Sequence, residues 1–506
     1  MKPATSCSDR GRPRAILRRA TLLLWAAGLA GCTVGPDFKP PNPPAVQAYT
    51  AAALPTQTVA TPGTLGGAQR FALQAPIGAA WWQQFDSPKL NALVEQALQA
   101  SPTLAAAQAT LRQAEQTYAA QAGSTLLPQA NGQLGVQRQR MTPAVQGQTG
   151  PERTFTLYNA SVGVSYNFDL FGGNRRALEA LAAQTDYQRY QLDGARLTLA
   201  ANIVTTAVTE AQVAAQIAAS EQILAAQREQ LELTRRRLAL GNASEVDVAS
   251  LETQVEQTRA SIVPLRNRLE QTGHFLAILV GQPPGAAAMP QFTLADFTLP
   301  ANLPLQVPSE LVRRRPDIQA SEALLHVASA QVGVAVSRLY PQLNLTGNVG
   351  SQALTSAALF GSDSLVWGLA GQLAQPLFNA GLRPAARAAE AGFDAAAANY
   401  RQTVLLALRN VADVLRALDN DAQLLQAQQA ADASAQRSLD LVSQQYRLGA
   451  SNYLQLLIAQ QQAQQIRIGL IAARAQRLAD TAAFYQAMGG SAMGEPGMAN
   501  QVDGAR

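Results

Sequence analysis

Apolar side chains recur at alternating steps of three and four over most of the sequence. Leu251, Val255, Thr258, Ile262, Leu265, Leu269, Thr272, Leu276 and Leu279 hold that beat, and Val404, Leu408, Val411, Leu415 and Leu418 take it up again later. This is coiled-coil spacing. It runs through Ala/Gln/Leu-rich stretches at about 89–127, 174–240, 243–281, 316–339, 381–448 and 451–488. A helix over 174–240 would be roughly 100 Å long at 1.5 Å per residue, which no globular core needs. Pro264 falls inside one stretch and should kink it.

Four short segments change period to two. In 160–170 the even positions are Ala160, Val162, Val164, Tyr166, Phe168 and Leu170, against Ser161, Gly163, Ser165, Asn167 and Asp169. Segments 341–350, 364–376 and, more weakly, 128–138 alternate in the same way. Half-buried strands of a soluble sheet would read like this. Ten alternating residues are also the length of an outer-membrane strand.

The chain repeats itself. GNASEVDV at 241–248 corresponds to GASNYLQL at 449–456, an offset of 208 residues, and LPQANGQLG at 127–135 mirrors YPQLNLTGN at 340–348. Each half reads helix, strand, strand, long helix, turn, helix. The halves are 89–300, with strands at about 128–171 and helices at 174–281, and 301–490, with strands at about 341–378 and helices at 381–488. Two copies contribute four strands. Open strand edges are not tolerated in lipid, and membrane barrels need at least eight strands. If these strands enter a membrane, several chains must pool them.

The N-terminus changes the picture further. Residues 1–31 combine an Arg-rich start with an apolar run, Ala20–Ala30. They read as a signal peptide, too short in its apolar part to span a bilayer. Leu29-Ala30-Gly31-Cys32 follows and looks like a lipobox, which makes Cys32 an acylated mature N-terminus. Cys7 would leave with the leader, so Cys32 has no disulfide partner. Residues 32–88, rich in Pro, Ala, Gly and Thr, are expected to form a lipidated tether, and 491–506 a flexible tail.

Charge then removes a class. The formal charge of +5 resides in the leader, where six bases (Lys2, Arg10, Arg12, Arg14, Arg18, Arg19) face one acid, Asp9. The remainder is neutral, so a nucleic-acid partner, which needs a basic surface, is not expected. No GxxxxGK, HExxH or GxSxG occurs, and His274 and His326 stand alone. No enzyme, catalytic residue, metal or cofactor is expected beyond the covalent lipid on Cys32.

The segments CTVGPDFKPP at 32–41, WWQQFDSPKLNALVEQAL at 81–98, SPTLAAAQATLRQAE at 101–115 and SYNFDLFGG at 165–173 carry a resemblance. RRLALGNASEVDV at 236–248, VRRRPDIQASEALL at 312–325, PLFNAGLR at 376–383 and YRLGASNYLQLL at 446–457 complete it. In that order they resemble the outer membrane factor (TolC-like) family, in its NodT-type lipoprotein branch. The resemblance implies an α+β membrane protein: a homotrimer with a shared twelve-stranded barrel, four strands per chain, above a long α-helical coiled-coil barrel. It implies a passive outer-membrane exit duct for small toxic compounds, served by a periplasmic adaptor and an inner-membrane transporter. A duct for type I protein secretion and a structural envelope lipoprotein are the alternatives. Thr33, where inner-membrane lipoproteins typically carry Asp, points outward.

The resemblance also assigns sites. The turns Gly241–Ser244 and Gly449–Asn452 would be the adaptor-docking tips, with Arg237, Tyr446 and Arg447 beside them. Here Gly supplies the positive φ that ends a helix and Ser or Asn caps the next. A closed gate would lie at Leu439, Asp440, Leu441 and Ser443. Ser443 stands where some relatives place an Asp, and Asp432 and Asp440 are the acids left for a ring. Successive helix residues turn by about 100°, so either the Leu side or Asp440 would face a lumen.

Overall fold

The computed structural model describes residues 33–490 apart from 47, 74, 76, 143–146, 148 and 286–288. The expected leader, Cys32 and the tail lie outside the described residues. The chain forms two compact units. The first takes the N-terminal residues to Pro40, Arg112–Tyr187 and Glu322–Asn399; the second takes Pro41–Leu111, Gln188–Ser321 and the residues from Tyr400 on.

The first unit holds a four-stranded antiparallel sheet. Its strands are β2 (Gln129–Met141), β3 (Arg153–Phe168), β5 (Gln342–Ala353) and β6 (Leu365–Ala374), hydrogen-bonded in the order β2-β3-β5-β6. All four expected strands are present. β3 starts at Arg153, seven residues before the alternation becomes legible at Ala160, because Thr154-Phe155-Thr156-Leu157 alternates in the opposite phase and the two runs break at Tyr158.

Most of the rest is helical: α1 (Pro88–Ala100), α2 (Pro102–Leu126), α3 (Gly173–Ala239), α4 (Glu245–Leu279), α5 (Pro308–Arg314), α6 (Pro316–Ser337), α7 (Leu382–Arg447) and α8 (Tyr453–Ala487). The stretch 89–127, read as one segment, is two helices. Pro102 disfavours helical geometry in the residue before it, and Ser101 turns out at φ −64°, ψ 122°. α4 continues through Pro264 without a break.

The long-helix core of the second unit follows the heptad reading. Leu251, Val255, Thr258 and Ile262 on α4, and Val404, Val411, Leu415 and Leu418 on α7, are buried. Two strands were not expected. β1 (Arg70–Leu73) pairs in parallel with β4 (Asn302–Leu305), Phe71 opposite Leu303. Four residues are too few to show a period, and the partners lie more than two hundred residues apart.

The segment 32–88 is not a free tether. Trp81–Phe85 forms a 3₁₀ turn whose Trp81 stacks on Tyr485 at 5.4 Å in the main hydrophobic core. Arg477 of α8, 1% exposed, donates to the carbonyls of Leu65 (2.8 Å) and Gly67 (3.1 Å). Gln69, also buried, reaches the Pro300 carbonyl and the Thr481 hydroxyl. Burying these groups is tolerated because they find partners, and that fixes the segment against α8.

Candidate functional site: an apolar sheet face and two matched turns

Register decides what the sheet presents. Leu134 pairs with Ala160 and Val136 with Tyr158. Val162 meets Val349, which meets Trp367; Phe168 meets Leu343, which meets Leu373. Because side chains alternate across a strand, all these apolar residues share one face. The opposite face carries Asn131, Gly163, Asn348 and Gly368 in one row, and Asn167, Asn344 and Gln372 in another. Among the residues of that face only Arg153, at the start of β3, is charged.

The apolar face is uncovered. Leu134 is 79% exposed, Trp367 76% and Leu369 80%. A soluble antiparallel sheet turns such a face to its own core. A contiguous apolar surface left open is a place for lipid or a partner. β2 and β6 are also edges, each with one row of unpaired backbone groups. No helix among the described residues is long and apolar enough to cross a membrane. The uncovered apolar face is the surface suited to lipid, and its opposite, rich in Asn, Gln, Ser and Gly, is suited to water.

The two turns of the second unit match bond for bond. In the first, the Gly241 N–H donates to the Leu238 carbonyl (2.9 Å) and Asn242 N–H to Arg237 (2.8 Å). In the second, Gly449 N–H donates to Tyr446 (3.2 Å) and Ala450 N–H to Gln445 (2.8 Å). This is the Schellman pattern, whose left-handed residue is Gly in both, at φ 75°. Ser244 caps α4 by accepting from the Asp247 N–H at 3.2 Å, and the Asp247 carboxylate accepts the Ser244 N–H in return. Asn452 caps α8 by accepting from Gln455 N–H at 2.9 Å. Sequence had both helix ends and both caps.

The structure brings Arg237, Tyr446 and Arg447 together. The Arg237 guanidinium lies 5.3 Å from the centre of the Tyr446 ring, within cation–π range. It also reaches the Arg447 carbonyl at 3.5 Å. Tyr446 and Tyr453 meet edge to face at 6.3 Å in a cluster with Leu231, Leu251 and Leu456 that joins the two hairpins. Burial pushes the Tyr453 hydroxyl up to about 12, with Tyr446 and Asp247 adding to it.

The four gate candidates part ways. Leu439 is half-buried against the same cluster, whereas Leu231, at the corresponding place in the first half, is buried within it. Asp440 is exposed and accepts from the Gln436 amide at 3.1 Å. Leu441 is exposed, and Ser443 is half-buried and takes Arg447 on its carbonyl. Asp432 is ion-paired with Arg467 at 2.9 Å. Sequence reasoning missed a set of exposed apolar residues here. Leu240 (77% exposed) and Leu448 (84%) stand beside the turn glycines, and Val246 and Leu454 follow the caps. The offset of 208 relates each pair, so the repeat matches the positions, though not their exposure.

Residues 93–282 and 307–490 each match the model of the outer membrane efflux protein family. The chain belongs to that family. A pyoverdine export outer membrane protein of Pseudomonas putida is 32% identical over 85% of this chain and 93% of its own length. A toluene efflux pump outer membrane protein of the same species is 30% identical over 95% and 97%. The solved outer-membrane channel OprN superposes with a TM-score of 0.82 at 27% identity, over 91% of this chain and 99% of its own. As an outer membrane efflux protein the chain has a TolC-like fold. It is an exit duct of tripartite efflux systems, sited in the outer membrane and extending into the periplasm.

Proposed function

We propose that three copies of the chain pool their strands in a twelve-stranded barrel and export small toxic compounds passively. The compounds are delivered by an inner-membrane transporter through a periplasmic adaptor, and the duct itself performs no catalysis. The observation that carries this is the sheet with one apolar uncovered face and two free edges. Four strands leave backbone groups unsatisfied in lipid, and three copies remove every edge. Two relatives of nearly equal identity are named for pyoverdine and for toluene, which fits a duct whose cargo is chosen by its pump.

Acylation at Cys32 anchors each copy in this reading, since several acyl chains hold far more firmly than one. The turns at Gly241–Ser244 and Gly449–Asn452 dock the adaptor, with Arg237, Tyr446 and Arg447 bracing them. With Leu439 half-buried against the hairpin core, either Asp440 or Leu441 forms the constriction.

Detergent-solubilised protein should run as a stable trimer and conduct in planar bilayers. A monodisperse monomer with its strands intact would end the proposal. At least one of Asp440→Ala and Leu441→Ala should raise single-channel conductance, and wild-type behaviour of both would move the gate elsewhere. Val162→Lys on the apolar face should cost about 2–4 kcal/mol if that face lies near the bilayer midplane, read as loss of inserted trimer.

A further inference from the structure

Residues 33–38 (Thr-Val-Gly-Pro-Asp-Phe) lie as a strap in a shallow surface groove of the first unit, Val34 and Phe38 half-buried and the other four exposed. The Val34 N–H donates to the Phe171 carbonyl at 3.1 Å. Arg176 of α3, its side chain 6% exposed, donates to the carbonyls of Val34 (3.3 Å) and Gly35 (3.4 Å) and to the Asp37 carboxylate (2.6 Å). Arg176 is itself held by Glu179 at 2.7 Å, and His326 Nε2 lies 2.8 Å from the other Glu179 oxygen. Phe38 stacks on the His326 ring at 4.3 Å. Burial pushes the Glu179 carboxyl up, but the hydrogen bonds from Arg176 and His326 outweigh it and hold the group below its ordinary value.

Close approach of backbone makes the groove. Gly35 sits at φ +91°, and a Cβ there would lie 2.5 Å from the Gly333 Cα. A Cβ on Gly172, at φ +78°, would lie 2.5 Å from the Thr33 methyl, and one on Gly333 would strike the Arg176 side chain at 2.7 Å. No side chain larger than hydrogen fits at these places without displacing the strap.

We propose that this groove is a positioning site that sets the membrane depth of the lipid anchor. The inference rests on acylation at Cys32. A group carried by the residue before Thr33 is then tied, within about 3.8 Å of Cα–Cα travel, to the β3–α3 junction. Phe168, the last residue of β3, and the stacked Phe171–Tyr340 pair (4.8 Å) stand at this end of the sheet. Aromatic residues of this kind mark the interfacial level of membrane barrels, which is also the level of a lipid's head. Released, six residues behave as a chain of about 14 Å root-mean-square length, about half the thickness of the hydrocarbon core. The strap removes that slack, so anchor and barrel enter the bilayer at one level.

The test uses the full-length protein purified from outer membranes. Gly35→Val breaks the strap through its backbone; the double change Asp37→Ala with Phe38→Ala breaks it through side chains and leaves every glycine in place. Intact mass reads acylation, deuterium uptake reads the 33–38 segment, and the heating point at which trimers dissociate reads assembly. Wild type and Cys32→Ala should both exchange slowly at the Val34 amide, which donates to the Phe171 carbonyl, because the groove does not need the lipid. Both strap variants should keep the full acyl mass, lose the slow exchange and show less trimer with a lower dissociation point. Fast exchange at the Val34 amide in wild type overturns the proposal. So do fully acylated strap variants that assemble as wild type does. A wild-type chain without an acyl mass overturns the anchoring reading and the depth-setting role with it, even where exchange at the Val34 amide is slow.

Discussion

In the hairpin α3–α4, Arg235 pairs with Glu232 and Glu252 at 2.7 and 2.8 Å, and Arg266 pairs with Glu221 at 2.6 Å. The corresponding places in α7–α8, 208 residues on, hold Ser443, Asp440, Gln460, Arg474 and Gln429. Neither ion-pair set survives there. Instead a cavity of about 160 Å³ opens between α3, α7 and α8, lined by Gln222, Gln227, Gln436, Leu439, Gln460 and Gln464 among others. The side-chain oxygens of Gln227 and Gln460 are buried and have no protein partner, and the space suffices for water. The hairpins differ inside as well. Glu210 on α3 is buried where the second copy has buried Leu418, and Asp421 on α7 is buried where the first has buried Val213. Turn geometry and apolar stripe are common to both copies, while each carries one buried carboxyl where the other carries hydrocarbon. Two copies of one fold can thus differ in how firmly, and at what pH, they hold together.

The largest expected effect tests the stripe. Leu251 is fully buried, and its counterpart is Ala459. Leu251→Ala should cost about 2–5 kcal/mol, the usual range for a cavity left in a core. Ala459→Leu should cost about 1–3 kcal/mol by overpacking. Thermal unfolding of both variants checks this, and equal losses would mean the hairpins pack alike at this level.

Next comes pH. Burial pushes the Glu210 carboxyl from 4.5 up to about 7. The folded chain therefore holds a proton there that the unfolded chain releases, and stability falls as pH rises between those values, then stays level. Glu210→Leu should raise stability by about 2–3 kcal/mol at pH 8 and add much less of it at pH 4. Asp421 is raised by burial first and then by Asp480, against the charge of Arg477, so Asp421→Val should act in the same direction. Melting temperatures across pH 4–8 decide it, and a gain independent of pH would assign the effect to packing alone.

A smaller effect concerns the cavity. Gln227→Leu removes a buried amide whose oxygen lacks a protein partner, and replacing such a group by hydrocarbon is near neutral or stabilising. A gain of about 1 kcal/mol is expected. A loss would mean that ordered water in the cavity completes the amide's bonds.

These differences also show where sequence reading stopped. Period-two alternation is local, so the four strands and their apolar face could be read from Val162, Leu345 or Trp367 with their immediate neighbours. The turn glycines were legible because a positive φ at a helix end selects Gly over other residues. Ser101 was missed although Pro102 marks the break. The docking of 58–69 depends on Arg477, about four hundred residues away, and the pairing of β1 with β4 on strands more than two hundred residues apart, so nothing local announces either. Glu210 looks in sequence like the exposed Glu229 on the same helix. Its burial follows from the helices packed around it. Leu240 and Leu448 look like core positions, and only the structure shows them open.

The sharpest comparison lies at the two turns, where effects are again of about 1 kcal/mol. Replacing Gly241 or Gly449 by Ala places a Cβ in the left-handed region, at about 1–2 kcal/mol each. No atom lies within 4 Å of a Cβ at either place, so the cost should be equal at the two sites and conformational in origin. The caps should differ. Ser244 exchanges two hydrogen bonds with Asp247, whereas Asn452 accepts one from Gln455. Ser244→Ala should therefore cost about 1 kcal/mol and Asn452→Ala somewhat less, since each loses its cap but only the first disrupts a reciprocal pair. Stability and efflux measured on the same variants separate a cap from a docking surface. If the turns only end helices, efflux will follow stability across the series. If they also seat the adaptor, Leu240→Ser and Leu448→Ser, whose side chains are exposed, will lower efflux while melting stays at the wild-type value. A unequal pair would then show that the two hairpins, alike in backbone, present different faces to the same partner.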